Sequence, residues 1–133
     1  MHLIVCLDER QGLSFCGRRL SRDAVLNDHM LRTAAGHKLW MNAYSGKMFL
    51  DGTVCVDEHF LEKAAEGDYC FVENSDLPQT NTQLESIICY HWNRAYPSTV
   101  KFPQKLLEGM RLTQTEEFPG SSHEKITMQR FTL

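Results

Sequence analysis

The order of apolar and polar residues along the chain predicts a series of short strands, most of them buried. Residues 3–7, Leu-Ile-Val-Cys-Leu, form an unbroken apolar run. Such a run is typical of a strand that is buried on both faces in the middle of a parallel sheet. Similar short runs follow at residues 38–42, 53–56, 69–72 and 86–92. We therefore predict five strands, and we expect residues 3–7 to be central, between residues 38–42 and residues 86–92.

Helices are predicted between these strands. The first should span residues 21–35, with Ser21 as its N-cap, Asp23 in its first turn and Gly36 after its end. Apolar residues recur within it at three- and four-residue spacing, which indicates one buried face. Shorter helices are expected after Ser45 and over residues 58–66 behind Asp57, with a turn at residues 51–52 between them.

The C-terminal part of the chain has a different pattern. Residues 110–117 and 124–133 alternate apolar and polar side chains around a loop at residues 118–122. This alternation predicts an antiparallel hairpin with a long loop. Strands interleaved with helices and followed by a hairpin indicate an α/β protein, with a mostly parallel central sheet flanked by helices. We expect residues 1–133 to form a single domain.

Composition and charge narrow the function classes. The chain has 133 residues, of which 42% are hydrophobic and 23% charged, and its formal net charge is −3. The absence of a basic block argues against nucleic acid as a partner. Apolar runs of five or six residues are too short to cross a membrane, and the first residues lack the basic region of a secretion signal. We therefore expect a cytoplasmic protein that binds neither nucleic acid nor membrane.

Cysteine and histidine contribute no metal or disulfide signature. The five cysteines include no C-x-x-C pair, and four of them lie inside apolar runs, which favours buried thiols in a reducing compartment. Cys16, in a loop that contains glycine, is expected to be exposed. The six histidines form neither H-x-H nor H-E-x-x-H, and the chain has no G-x-S-x-G or phosphate-binding glycine loop. We predict no metal site.

Three segments resemble the dihydrofolate reductase family. In residues 3–23 a strand, an Asp, a Gly-hydrophobic pair and a flexible loop lead to an acid in the first turn of a helix. Residues 38–49 are similar to the strand, turn and short helix of that family that approach its nicotinamide cofactor. Residues 87–93, Phe102-Pro103 and the last hairpin resemble its C-terminal part. The resemblance implies a dihydrofolate reductase-like fold, and it implies a cleft beside Asp23.

The resemblance also implies a set of site residues. Asp23 matches the acid that binds the pterin and assists proton delivery, and desolvation would raise its pKa. The alternative is an acid at a helix N-terminus that is exposed to water. Tyr44 and Tyr90 are candidates to stack on a planar ligand. The implied ligand-binding residues are Val5, Cys6, Arg18, Arg22 and Tyr90, and the implied cofactor-binding residues are Asn42, Tyr44, Ser45, Glu73 and Asn74.

Several positions depart from the family pattern. Asn42-Ala43 replaces a Gly-Arg pair and removes a cation expected near a cofactor phosphate, and Glu73-Asn74 replaces a Gly-Gly pair that lets backbone approach the cofactor. Tyr90 replaces the Thr that supports the acid. These departures predict a degraded NADPH site.

Three functions follow from this combination. The first is a protein that binds a small planar or anionic ligand, for which the arginines at positions 18, 19 and 22 would form an anion patch instead of a solvated helix entrance. The second is an NADPH-dependent reductase of a pterin-like or other heteroaromatic substrate. The third is a non-catalytic interaction protein with a vestigial cleft.

Overall fold

The computed structural model describes residues 1–50 and 52–133. The strands are β1 (His2–Leu7), β2 (Gly12–Phe15), β3 (Arg18–Arg19), β4 (Leu39–Met41), β5 (Cys55–Val56), β6 (Tyr69–Phe71), β7 (Ser86–His91), β8 (Val100–Lys101), β9 (Arg111–Phe118) and β10 (Ile126–Thr132). The helices are α1 (Ala24–Thr33), α2 (Ala43–Gly46) and α3 (Phe60–Lys63), with a 3-10 turn at Gln104–Leu107. Of the predicted turn at residues 51–52, Asp51 lies outside the described residues.

The main sheet has the predicted architecture. Its order across the described residues is β5-β4-β6-β1-β7-β10-β9, in which β5, β4, β6, β1 and β7 pair in parallel and β10 runs antiparallel to both of its neighbours. The mostly parallel sheet and the C-terminal hairpin are therefore confirmed. The central position of β1 and its pairing with β7 are also confirmed. The prediction that residues 38–42 would lie beside β1 is wrong, because β6 occupies that position and β4 lies one strand further out.

The central strand is buried on both sides. Residues 3–7 are at most 9% exposed, and alternate side chains enter different clusters. Ile4 and Cys6 face the cluster that includes α1, whereas Leu3, Val5 and Leu7 face the cluster that includes Phe60 of α3. This burial on two faces explains why the run shows no polar alternation. It also places Cys6, but not Val5, on the face that carries α1.

Helix α1 begins later than predicted. Its N-cap is Asp23, not Ser21, because the Asp23 carboxylate accepts hydrogen bonds from the backbone N–H groups of Val25 and Leu26 at 2.9 and 3.2 Å. Asp is among the strongest N-cap residues, and it satisfies donors that the helix itself cannot. Similarly, Asn42 and not Ser45 caps α2, by accepting from the Ser45 N–H at 3.0 Å.

The loop after β1 forms a second, small sheet that the apolar pattern does not predict. Strand β2 pairs with β3 and with β8 in antiparallel fashion. Cys16 and Gly17 connect β2 to β3 with φ values of 48° and 77°. Two consecutive residues at positive φ make a tight hairpin whose twist matches that of its strands. This hairpin brings Arg19 and the following residues back over the carboxyl ends of β1 and β6.

Candidate functional site

Five residues predicted to bind a cofactor lie in one hydrogen-bonded cluster with Arg19. Glu73, which follows β6, is 6% exposed and pairs with the Arg19 guanidinium through two bonds, Nε–Oε2 at 2.9 Å and Nη2–Oε1 at 3.0 Å. The Ser45 hydroxyl donates to Glu73 Oε1 at 2.7 Å. Although burial favours the neutral form, these bonds to Glu73 raise the pKa of Arg19. We call this group the closed cluster: Arg19, Asn42, Tyr44, Ser45, Glu73 and Asn74.

The remaining members tie the β2–β3 hairpin to the cluster. The Tyr44 hydroxyl accepts from the Arg19 backbone N–H at 3.1 Å, and the Arg19 guanidinium lies 4.3 Å above the Tyr44 ring centroid. Asn74 donates to the Gly17 carbonyl at 2.9 Å and accepts from the Asn42 amide at 2.9 Å. The Tyr44 ring, a candidate to stack on a planar ligand, therefore stacks on the guanidinium of Arg19.

Little space remains where the resemblance implies a pterin pocket. The cavity between Cys6, Leu20, Val72, Glu73 and Trp92 has a volume of about 10 Å³. A single water molecule needs roughly 10–15 Å³ of such volume. Burial, followed by repulsion from Glu73, raises the pKa of the Cys6 thiol.

Tyr90 and Val5 lie away from this space. Tyr90 is fully buried, and its hydroxyl lies 2.7 Å from His29 Nδ1, whose other ring nitrogen lies 2.6 Å from Glu116. Its ring meets His29 and Phe118 edge-on, so the expected stacking surface is covered. Val5 packs in the cluster on the opposite face of the sheet.

Asp23 is buried, and hydrogen-bond donors surround its carboxylate. Its side chain has 0% exposure, and it accepts from the backbone N–H groups of Ser121 at 3.0 Å and Ser122 at 2.8 Å as well as from the α1 N-terminus. The loop between β9 and β10 supplies these donors, and Gly120 lies so close to the carboxylate that an added Cβ would collide with it. Burial alone would raise the pKa of Asp23, but the bonds from Ser122, Ser121 and His123 lower it. The expectation of a raised pKa, and the alternative of an exposed acid, are therefore both wrong.

An open depression of about 480 Å³ lies next to Asp23. Arg22 and Arg94 are exposed, and neither guanidinium has a hydrogen-bond or ion-pair partner within residues 1–50 and 52–133. The floor carries the hydroxyl groups of Ser21 and Ser122 and the ring of His123. We call this region the basic depression: Ser21, Arg22, Arg94, Ser122 and His123, with Arg19 at its border. Arg18 is exposed on β3 and does not line it.

Four members of the basic depression are absent from the predicted site residues. The sequence predicts Ser21 as a helix N-cap and Ser122 as part of the hairpin loop, it predicts no metal site that would include His123, and it assigns no role to Arg94. Arg94 follows the β7 strand, and strand ends on this edge of an α/β sheet were the available signal. His123 had no local signal, because its partners are 100 and 102 residues away.

A second cleft of about 320 Å³ lies between residues 74–79 and the small sheet, with Lys101 and Lys105 at its edge. Cys6, Cys70 and Cys89 are buried and Cys16 is exposed, as predicted. The prediction that Cys55 would be buried is wrong, because it lies on the edge strand β5 and is only partly buried. Burial raises the pKa of both Cys70 and Cys89 to about 12.

Over the described residues, the structure holds no cluster of metal-ligating side chains, and none of its helices is both long and apolar enough to cross a membrane.

The sheet order and the two layers of helix define an α/β protein with the dihydrofolate reductase fold. A dihydrofolate reductase from Enterococcus faecalis, complexed with NADP(H) and RAB-propyl, superimposes on this chain with a TM-score of 0.69. The alignment covers 98% of this chain and 94% of that chain, at 9% sequence identity. At this identity the match shows the fold. No family model matches the sequence, and no curated protein matches it.

Proposed function

We propose that the protein binds a small anionic ligand in the basic depression beside Asp23, instead of transferring hydride from NADPH. The observation that carries this proposal is the pair of exposed guanidinium groups, Arg22 and Arg94, that line one open depression without a partner in the described part of the chain. A guanidinium is always charged and presents a fork of donors that fits carboxylate and phosphate oxygens.

The charges around the depression favour an anion although the whole chain has a net charge of −3. The carboxylates of Asp23 and Glu73, which bond to residues that line the depression, are both held by hydrogen-bond donors. Asp23 is fully buried beneath the N–H groups of residues 121 and 122, and Glu73 is engaged by Arg19 and Ser45. The hydroxyl groups of Ser21 and Ser122 lie on the floor, where the first is hydrogen-bonded to His123 and the second donates to the Arg22 carbonyl and to Asp23. The depression therefore combines unpaired positive charge with neutral polar groups.

The closed cluster supports the second part of the proposal, that the protein does not transfer hydride from NADPH. The Enterococcus faecalis reductase is complexed with NADP(H), and in this chain the residues implied for a cofactor are bonded to one another. A cofactor would have to break the Arg19–Glu73 pair and displace the β2–β3 hairpin before its own contacts formed. Glu73 would also repel a pyrophosphate. These costs add to the loss of the family's phosphate-binding Arg.

Calorimetry with inorganic pyrophosphate at low ionic strength tests the proposal. Arg22→Gln/Arg94→Gln removes two charge-assisted bonds worth about 1.5–3 kcal/mol each, so we expect the double variant to bind at least 100-fold more weakly. Arg111→Gln, an exposed arginine on β9 outside the depression, is the matched control and should bind as the wild type does. Equal binding by the double variant, or no binding by the wild type, would contradict the proposal and favour an interaction protein.

NADPH binding separates the proposal from a reductase. We expect a Kd on the order of 100 μM or weaker, because each 1.4 kcal/mol lost is tenfold in affinity. Calorimetry with NADPH measures this constant directly. Low-micromolar binding that vanishes in Arg18→Ala/Arg19→Ala would restore the reductase interpretation.

A further inference from the structure

The floor of the basic depression contains a serine, a histidine and an aspartate in hydrogen-bond order. Ser21 Oγ lies 3.1 Å from His123 Nε2, and His123 Nδ1 lies 3.1 Å from Asp23 Oδ2. The histidine and aspartate side chains are 2% and 0% exposed, whereas Ser21 is half-buried and lines the depression. A nucleophile hydroxyl, a base and a buried orienting acid in this order define a serine-type triad, whatever the fold that carries it.

The surroundings of Asp23 determine the tautomer of His123. Because the carboxylate is held by backbone N–H groups and its pKa is lowered, it is an acceptor for an N–H of the ring. Ser122 Oγ also lies 3.1 Å from Nδ1, but its proton is donated to the Arg22 carbonyl and to Asp23. The Nδ1–H therefore points at Asp23, and the lone pair on Nε2 points at Ser21. This is the tautomer that a general base needs in order to accept the hydroxyl proton.

Neighbouring rings hold the imidazole in place. Trp92 stacks on His123 with centroids 4.6 Å apart and planes inclined by 26°. Tyr96 Oη lies 3.0 Å from Nε2 and 3.4 Å from Ser21 Oγ, so two hydroxyl groups share one acceptor. When Tyr96 donates to Ser21, the serine hydroxyl donates to Nε2, and the proton path from Oγ to Nε2 is complete.

We propose that Ser21 is the nucleophile and His123 the general base of an acyl-transfer site that hydrolyses esters of small anionic acids, with Asp23 as a positioning residue. Ser21 Oγ forms a bond to the ester carbonyl carbon while its proton passes to Nε2, and the carbonyl electron pair moves to oxygen. When this pair returns, the bond to the leaving oxygen breaks, and that oxygen takes the proton from Nε2. Water repeats the sequence on the acyl-serine and releases the acid.

The arginines give this site its substrate class. Arg22 and Arg94 line the same depression, and their positive charge would hold an anionic acyl group and stabilise the oxyanion. This preference for anions rests on the proposed binding function, but the triad itself does not. Labelling with a neutral probe therefore tests the serine, and hydrolysis of an anionic substrate tests the arginines, so that each claim can be contradicted without the other.

Labelling with a neutral alkyl fluorophosphonate tests the triad. Ser21 Oγ would form a bond to phosphorus, fluoride would leave, and the proton would pass to His123. Mass spectrometry of the intact protein and of its peptides should find one label, on Ser21, in the wild type and in Ser98→Ala. Ser98 is similarly half-buried and does not line the depression. Ser21→Ala should take no label, and His123→Gln should be labelled about 100-fold more slowly.

Other outcomes of labelling would overturn the triad. These are an unlabelled wild type, a label on Ser122 instead of Ser21, or an unchanged rate in folded His123→Gln. If that variant does not fold, nitrogen NMR of wild-type His123 decides: the Nδ1–H tautomer is expected, and an Nε2–H tautomer would contradict the proposal. The same spectrum tests Asp23 as a positioning residue, because a capping role alone does not fix the ring tautomer.

Hydrolysis of p-nitrophenyl succinate against p-nitrophenyl acetate tests the substrate class. We expect Arg22→Gln/Arg94→Gln to lose at least tenfold more in kcat/KM for the anionic ester than for the neutral ester, because both esters form the oxyanion and only one carries the acyl charge. Equal loss for both esters would contradict the anion preference while labelling of Ser21 still stood. Pyrophosphate binding without labelling would overturn the triad and leave the proposed binding function in place.

Discussion

The closed cluster and the basic depression are neighbouring regions that both include residues of the segment 19–22, and they differ in how their charged side chains are paired. Arg19 turns into the closed cluster, where Glu73 accepts two of its bonds, whereas Arg22 turns into the depression and remains unpaired within the described part of the chain. Arginines that are neighbours in the sequence therefore have different roles in the structure. The residue that decides each role lies elsewhere: Glu73 is 54 residues from Arg19.

The largest expected effect comes from breaking the closed cluster. Glu73→Ala leaves the Arg19 guanidinium largely buried without a counter-charge, and removal of one partner of such a pair costs about 3–5 kcal/mol. We expect about 3 kcal/mol, because the Arg19 side chain is 19% exposed. Urea unfolding monitored by tryptophan fluorescence measures the change.

The double variant Arg19→Met/Glu73→Leu is the control for this experiment. Replacing both charges with apolar side chains of similar size is often close to neutral, so most of the lost stability should return. A single variant as stable as the wild type would mean that the cluster is not closed in solution.

A smaller loss is expected at the boundary between the regions. Asp23→Asn preserves the shape of the side chain but removes the charge that accepts from the N–H groups of residues 121 and 122. Bonds to a charged group contribute about 1.5–3 kcal/mol, so we expect a loss of about 2 kcal/mol at pH 7. Asp28→Asn, on an exposed position of the same helix, should change stability by less than about 0.5 kcal/mol.

The pH dependence of stability checks the same carboxylate. The pKa of Asp23 is lower in the folded protein than in the unfolded chain, where it is near the ordinary value of 3.8. Its contribution is therefore complete above that value and is lost as the pH falls toward the folded-state pKa. Unfolding curves recorded between pH 5 and pH 2 should show a smaller loss in Asp23→Asn than in the wild type and in Asp28→Asn. Some loss should remain in Asp23→Asn, because the pKa of other carboxyl groups, such as Asp8 and Glu85, is also lowered in the folded protein.

The smallest effect on stability is expected in the basic depression. Arg22→Ala and Arg94→Ala remove exposed guanidinium groups that have no partner in the structure described, so each should change the free energy of unfolding by less than about 0.5 kcal/mol. The same urea experiment measures both. A loss above 1 kcal/mol would indicate that these arginines support the fold, and the contrast between the two regions would disappear.

The sequence predicted the sheet better than it predicted the site. A strand that is buried on both faces appears in the sequence as an apolar run, as at residues 3–7. The hairpin of β9 and β10 appears as alternating apolar and polar residues. The neighbour of β1 was wrong because strand order is set by crossover connections, which the local pattern does not encode. The β2–β3 hairpin was missed because its turn is Cys16-Gly17, without the Asn or Asp that usually marks such a turn.

Some of the predicted site residues do lie together in the structure, but their hydrogen bonds were not predicted. The five residues implied for a cofactor do lie together, and Asp23 does border an open depression. Whether Glu73 would face a ligand or Arg19 depended on a contact across 54 residues. The direction of the Asp23 pKa depended on donors from residues 121–123, which belong to a loop whose own pattern predicts only a turn.

The cap that the β9–β10 loop places on Asp23 has a consequence for how the molecule is made. Residues 121–123 leave the ribosome 98 to 100 residues after Asp23. At about 5–20 residues per second, this interval is roughly 5–20 s. During that time the ten residues of α1 are shorter than the 12–15 that an isolated helix needs to be stable. The helix start and the basic depression should therefore become ordered together in a single step, once residues 121–123 have left the ribosome.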